Sequence, residues 1–188
     1  MMLVPWSYVN SWRCNGCGIC CKRYQVVLKF SEWLRLVQTY GPGVTSTSLN
    51  KFYLEKKPDG SCIFLWESGE THLCGLQNMK PIACKIWPFR ILDRPKFGKP
   101  NEALFTYRGR KLFVYVDPSC PEIRWGNPSF EMAYRVIPEF VELALGLREK
   151  QYYSTSMDLY RFYPKIRLAR RLIFNGKDDL ENNIASHL

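Results

Sequence analysis

The sequence predicts an α+β fold: a small cysteine-rich unit of short strands and one β-hairpin, followed by a helical C-terminal extension. Three observations carry this. Short β-branched and aromatic runs alternate with turn residues through the first two thirds of the chain. All eight cysteines fall between Cys14 and Cys120. Beyond Pro128 the apolar residues recur at helical spacing instead. The division read from this is 1–127 for the cysteine-rich domain and 128–188 for the extension with its basic last helix.

The elements follow in order. "YQVVLKF" after Cys21 reads as a short strand. Ser31 is placed to cap a helix over "EWLRLVQTY" that Gly41 ends. "GPGVTSTSLN" reads as loop. "KFYLEKKPDGSCIFLWESGETHLC" alternates strands with turns at Asp59-Gly60 and Ser68-Gly69. A short helix carries Cys84 and stops at Pro88. "EALFTYRGRKLFVYVDPSC" predicts a hairpin turning at Arg108-Gly109, with Cys120 just past its second strand. Ser129 caps a helix through "SFEMAYRVIPEFVELALGLREK", with a kink or restart at Pro138. Pro164 opens a last helix, "PKIRLARRLIF", ended by Asn175-Gly176.

Composition narrows the function. Of 188 residues, 46% are hydrophobic and 15% aromatic, which fits a folded core rather than a disordered tail. Lys plus Arg number 27 against 17 Asp plus Glu, a formal charge of +10 and a pI near 9.3. That surplus suits an acidic partner such as RNA or a ribonucleoprotein, and equally plain solubility. No run approaches a membrane span, so no membrane insertion is expected. "MMLVPWSYVNSW" lacks the basic and apolar regions of a secretory signal, and the expected location is cytoplasmic.

In a reducing compartment, cysteines at tight spacing point to metal rather than disulfides. Cys14, Cys17 and Cys20 form C-x-x-C-x-x-C, with Gly16 and Gly18 easing a tight loop. Three close cysteines completed by a remote one is how ferredoxin loops hold an iron–sulfur cluster. Zinc ribbons use two separated C-x-x-C pairs, and this chain has no second pair. Adjacent side chains point in different directions, so Cys21 is expected to turn toward a second centre rather than share that of Cys20. The remote thiols are Cys62, Cys74, Cys84 and Cys120. One arithmetic division of eight thiolates is Cys14, Cys17, Cys20 plus one remote cysteine, and Cys21 with the other three. The remote assignments stay open, as does one centre beside a disulfide or free thiols. A metal-stapled core holding a 4Fe-4S cluster or Zn2+ is the reading. His72, two residues before Cys74, reads as a surface-loop histidine rather than a ligand.

"CNGCGICC", "KPIACKIWPF" and "DPSCPEI" together resemble the CxxCxxCC, or YkgJ-type, cysteine cluster family of zinc- or iron-chelating domains. The resemblance covers roughly residues 12–122 and matches all eight cysteines. Lys80 and Lys85 stand where that family often has Arg, and Glu122 where it has Gly. The resemblance implies metal binding. The flagellin lysine methylases carry a related cluster. By that analogy alone protein-lysine methyltransferase activity and S-adenosylmethionine are implied, beside a redox or purely structural role.

No nucleotide-binding or hydrolase motif is present in the sequence. Glu67, Glu70 and Asp93 read as solvated turn carboxylates. The last helix offers Lys165, Arg167, Arg170 and Arg171 as candidate nucleic-acid contacts beside a reading as a solvated packing helix.

Overall fold

The computed structural model describes residues 2–69, 71–76 and 79–153. In chain order the elements are β1 (Val4–Pro5), β2 (Val9–Trp12), α1 (Ile19–Arg23), β3 (Val27–Leu28), α2 (Phe30–Tyr40), β4 (Thr45–Ser48), β5 (Lys51–Leu54), β6 (Leu65–Ser68), β7 (Thr71–Cys74), α3 (Ile82–Lys85), β8 (Phe89–Leu92), α4 (Pro100–Ala103), β9 (Leu104–Tyr107), β10 (Arg110–Val116), β11 (Ile123–Trp125) and α5 (Ile137–Ala144). The class is α+β as expected. All strand pairs are antiparallel.

The largest sheet is built on β10, the longest strand, which pairs with β1, β8 and β9. The predicted hairpin forms with Arg110 opposite Tyr107. Its two turn residues take positive φ, 48° at Arg108 and 78° at Gly109, as a two-residue loop requires. The remaining pairings are β11 with β2, a three-stranded sheet in the order β3-β5-β4, and the hairpin β6–β7.

Two apolar clusters lie beside the cysteines. One gathers Val9, Trp12, Phe89, Leu112, Val114, Val136, Phe140 and Val141, with Cys120 inside it and Cys14 against it. Trp12 packs edge-on against both Phe89 and Phe140, at 5.3 and 5.2 Å, a favoured aromatic geometry. The other gathers Leu28, Leu36, Leu54, Cys62, Leu65 and Leu76, with Cys21 and Cys74 against it.

Several local expectations are corrected. Helix α2 begins one residue before Ser31, and its N-terminus is closed by Glu32 instead. One carboxylate oxygen accepts the Lys29 N–H at 2.8 Å and the other the Ile82 N–H at 2.6 Å. The "TSTS" run is strand rather than loop, because β4 pairs with β5 across Leu49 and Asn50, both at positive φ. Only Val27–Leu28 of "YQVVLKF" is strand. Ser129 Oγ does cap, accepting the Met132 N–H at 3.2 Å. A wide π-type turn over Met132–Val136 then leads into α5, where Pro138 sits in the first turn. The compact unit holding these elements runs from Met1 to Ser156. The predicted last helix, with Lys165, Arg167, Arg170 and Arg171, lies outside the described residues.

Candidate metal centre

All eight cysteines line one cavity of about 90 Å3, together with His72, Lys80 and Glu122. The cysteines are free thiols; Cys62 and Cys120 are buried and the other six half-buried. Among the described residues, no three Cys, His, Asp or Glu side chains are drawn around one point as a ready ion site. The Sγ atoms of Cys20 and Cys21 are 3.9 Å apart, so these neighbours do not diverge as the sequence led us to expect.

Local structure draws Cys14, Cys17 and Cys120 to one side of the cavity and Cys21, Cys62, Cys74 and Cys84 to the other, while Cys20 adjoins both, with Cys21 at 3.9 Å. In the β2–β11 ribbon Trp12 stands opposite Ile123. Cys14, two residues past Trp12, and Cys120, three before Ile123, therefore leave the same end. Trp12 Nε1 donates to Cys120 Sγ at 3.3 Å. Asn15 Nδ2 donates to Glu122 at 2.8 Å, and Asn15 Oδ1 accepts the Cys17 N–H at 2.9 Å. This Asx turn fixes the Cys14–Cys17 loop against the Cys120 segment. Tyr24 adds a second tie, bonding Ser119 and Asp117 through its hydroxyl.

The second side begins on α1. The Cys62 N–H donates to the Cys21 carbonyl at 2.8 Å, and the Leu65 N–H to the Cys62 carbonyl at 2.9 Å. Leu65 in turn faces Cys74 across the β6–β7 hairpin. Cys84 sits on α3. The thiols that raise its pKa beyond the effect of burial are Cys74, Cys20 and Cys62. For Cys120 the corresponding pair is Cys17 and Cys14.

Burial dominates the electrostatics. Loss of water pushes the thiols of Cys14, Cys62, Cys74 and Cys120 up, and Cys84 well up, from an ordinary value of 9.0. Cys20 goes the other way, to about 7. The Cys21 side chain hydrogen-bonds it first of all; the Cys21 backbone and the Lys80 charge add to the effect. Cys21 rises correspondingly, because its proton is held between the two sulfurs. Lys80 is only 6% exposed. Its ammonium charge favours the thiolates of Cys14, Cys20, Cys74 and Cys84.

His72 is not the surface-loop residue expected from sequence. It stands on β7, its side chain 19% exposed and facing the cavity. Its Nε2 lies 3.1 Å from Glu67 and 3.2 Å from Lys22, while its buried Nδ1 has no partner among the described residues. Gly18 makes room for the ring: its φ is +73°, and a Cβ there would meet His72 at 2.7 Å. Glu67 is likewise a strand residue, paired with Lys22 at 2.7 Å, and Asp93 pairs with Arg110. Glu70 lies outside the described residues.

A brace reaches the thiols from beyond Pro128. Glu139, 3% exposed, accepts the N–H groups of Tyr152 and Tyr153 at 2.8 and 3.1 Å. The Tyr153 carbonyl then accepts the Cys14 N–H at 3.2 Å. Gln151 donates to the Lys85 carbonyl at 2.7 Å, beside Cys84. Sequence reasoning found the cysteines but missed Lys80, Asn15, Trp12 and Glu139. Only Asn15, two residues before Cys17, carries a readable local signal, the Asx turn.

The donor set fits a thiophilic metal. It is rich in sulfur, carries a buried cation to balance thiolate charge, and leaves a buried ring nitrogen without a partner at its wall. Fold and cavity thus define a cysteine-lined chelating domain. Residues 13–121, more than half of the chain, match the model of the CxxCxxCC family, described as a "putative zinc- or iron-chelating domain". The chain belongs to this family, and all eight cysteines lie within the matched segment. No curated protein and no solved structure matches the chain. Among the described residues no helix is long and apolar enough to cross a membrane.

Proposed function

We propose that the chain is an iron–sulfur protein with two four-thiolate centres. Cys14, Cys17, Cys20 and Cys120 hold one, and Cys21, Cys62, Cys74 and Cys84 the other. The observation that carries this is the single cavity lined by all eight thiols, in which side-chain bonds tie the Cys14–Cys17 loop to the Cys120 segment and the Cys62 N–H bonds the Cys21 carbonyl. The cluster type favoured is 4Fe-4S. A single zinc ion needs its four sulfurs about 2.3 Å from one point, hence about 3.8 Å from each other. A cubane binds each cysteine through a different iron and spreads the sulfurs more widely. The C-x-x-C-x-x-C run of Cys14, Cys17 and Cys20, completed by a remote cysteine, has the spacing of a cubane loop and favours the second arrangement.

When bound, such a cluster supplies one-electron redox chemistry. The residues of the chain set its environment. Lys80 places a buried positive charge beside the thiolates, which stabilises the more negative, reduced form. The Trp12 N–H bonded to Cys120 acts in the same direction. His72 presents a ring nitrogen at the wall of the cavity. The role proposed is therefore redox.

Single Cys→Ser variants of the anaerobically purified protein test the partition. Cys17→Ser and Cys84→Ser are each expected to lose about half of the bound iron, since each removes a ligand from one of two cubanes. Combining Cys17→Ser with Cys120→Ser should cost no more iron than Cys17→Ser alone. Loss of all iron in every single variant would mean one shared centre.

A further inference from the structure

His72 has one polar atom left over. Its main-chain N–H donates to the Gly16 carbonyl at 3.2 Å. Its Nε2 lies 3.1 Å from Glu67 and 3.2 Å from Lys22, both of them partly exposed. Its ring lies against Gly18, where a Cβ would meet His72 Cβ and Cγ at 2.7 Å and Cδ2 at 2.9 Å. Nδ1 is buried, has no partner among the described residues, and belongs to a side chain that lines the thiol cavity. We propose that His72 donates its Nδ1–H to sulfur of the bound metal centre, and that Lys22 holds the ring in the tautomer this needs. This rests on the reading of the thiols as metal ligands, and it applies to iron and to zinc alike.

A neutral imidazole carries its proton on one nitrogen or the other. With the proton on Nε2, that nitrogen donates to Glu67 and the Nδ1 lone pair faces the cavity. With the proton on Nδ1, Nε2 accepts from the Lys22 ammonium, which also keeps Glu67 at 2.7 Å. Metal-bound sulfur carries negative charge, so it repels a lone pair and attracts an N–H. The loaded cavity therefore selects the proton on Nδ1, and Lys22 is already within reach to satisfy Nε2. A buried N–H with no acceptor is costly; sulfur of the centre supplies that acceptor.

The fold fixes His72 to the thiols on two sides. The Gly16 bond and the Gly18 contact hold it to the loop between Cys14 and Cys20, with Cys17 between the two glycines. On β7 it stands two residues before Cys74. Alternate residues of a strand share a face, and both side chains line the cavity. A donor so placed is a positioning residue rather than a ligand. It draws charge from the sulfur, which favours the reduced form of a redox centre and raises its potential.

The test uses the full-length, metal-loaded protein labelled with nitrogen-15 histidine. The chain has two histidines, so His187→Gln leaves the label on His72 alone. If the protein carries iron and sulfide, pulsed EPR of the reduced cluster should show a coupling to the labelled nitrogen. If it carries zinc, nitrogen-15 NMR should show the proton on Nδ1 and none on Nε2. No coupling in the first case, or a bare Nδ1 in the second, overturns the proposal and leaves the metal assignment standing. A preparation that takes up neither metal would sink the thiol reading and this proposal together. In the iron protein two variants separate the ring nitrogens, since a Gln amide reaches the Nε2 position and an Asn amide the Nδ1 position. His72→Gln should lower the reduction potential, while His72→Asn should stay near wild type. Equal shifts, or the reverse order, would mean that His72 acts only through Glu67 and Lys22 and would overturn the proposal. Should either variant lose its metal, the spectra of the labelled protein decide.

Discussion

Gly18 shows how one residue conditions the thiol cavity. It takes a left-handed φ and faces the His72 ring at a distance no Cβ tolerates. Gly18→Ala is therefore expected to cost at least ~2 kcal/mol through strain and clash together. Metal content should fall with it. Wild-type metal content and melting temperature in that variant would remove His72 from the architecture of the site. The cysteines themselves differ in reactivity. Cys20, lowered to about 7, should be alkylated first by iodoacetamide in the metal-free protein at about pH 7.5. Cys84, the thiol most raised by burial, should be last. Peptide mapping by mass spectrometry reads the order, and equal labelling of the two would contradict it.

At the scale of elements, α5 and the strand after it support the loop that carries Cys14. Glu139→Ala removes the acceptor for two backbone N–H groups and frees the Tyr153 carbonyl that holds Cys14. A cost of about 3 kcal/mol is expected. Metal should also be lost faster to a chelator, which a merely peripheral helix would not cause. Much at this scale was legible in sequence. The Arg108-Gly109 hairpin was read because its turn needs positive φ at two positions, and Gly109 advertises one of them. Ser129 was readable as a cap because a hydroxyl before an apolar period has few other uses. The start of α2 was not readable, because Glu32 closes that helix end while also holding Ile82, fifty positions away. β4 was misread as loop because its partner β5, not its own Ser and Thr content, makes it a strand. His72 was misplaced for a similar reason: its burial depends on Gly18, and only the fold brings the two together.

For the molecule as a whole, the five thiols raised chiefly by burial tie stability to pH. Cys14, Cys62, Cys74, Cys84 and Cys120 hold their protons more tightly in the fold than the ordinary value of 9.0 allows. Above about pH 9 the unfolded chain has released protons that the folded chain still keeps. Stability of the metal-free protein is thus full below that pH and falls as the pH climbs past it. Denaturant midpoints at pH 8 and pH 10 check the sign, the second being lower; equal midpoints would contradict it. The eight cysteines were legible in the sequence, the first three by spacing and the remote ones through the resemblance. Which remote thiol lies beside Cys14 and Cys17 was not, because that depends on the β2–β11 register. Lys80 was seen only as a substitution, since nothing local marks a lysine as buried.

The most direct test of the central claim is iron, zinc and acid-labile sulfide analysis of the anaerobically purified protein, with its absorption spectrum. Two cubanes predict a brown protein absorbing near ~400 nm, with about eight irons and about eight sulfides per chain. A colourless protein holding stoichiometric zinc and no sulfide would contradict the iron–sulfur account.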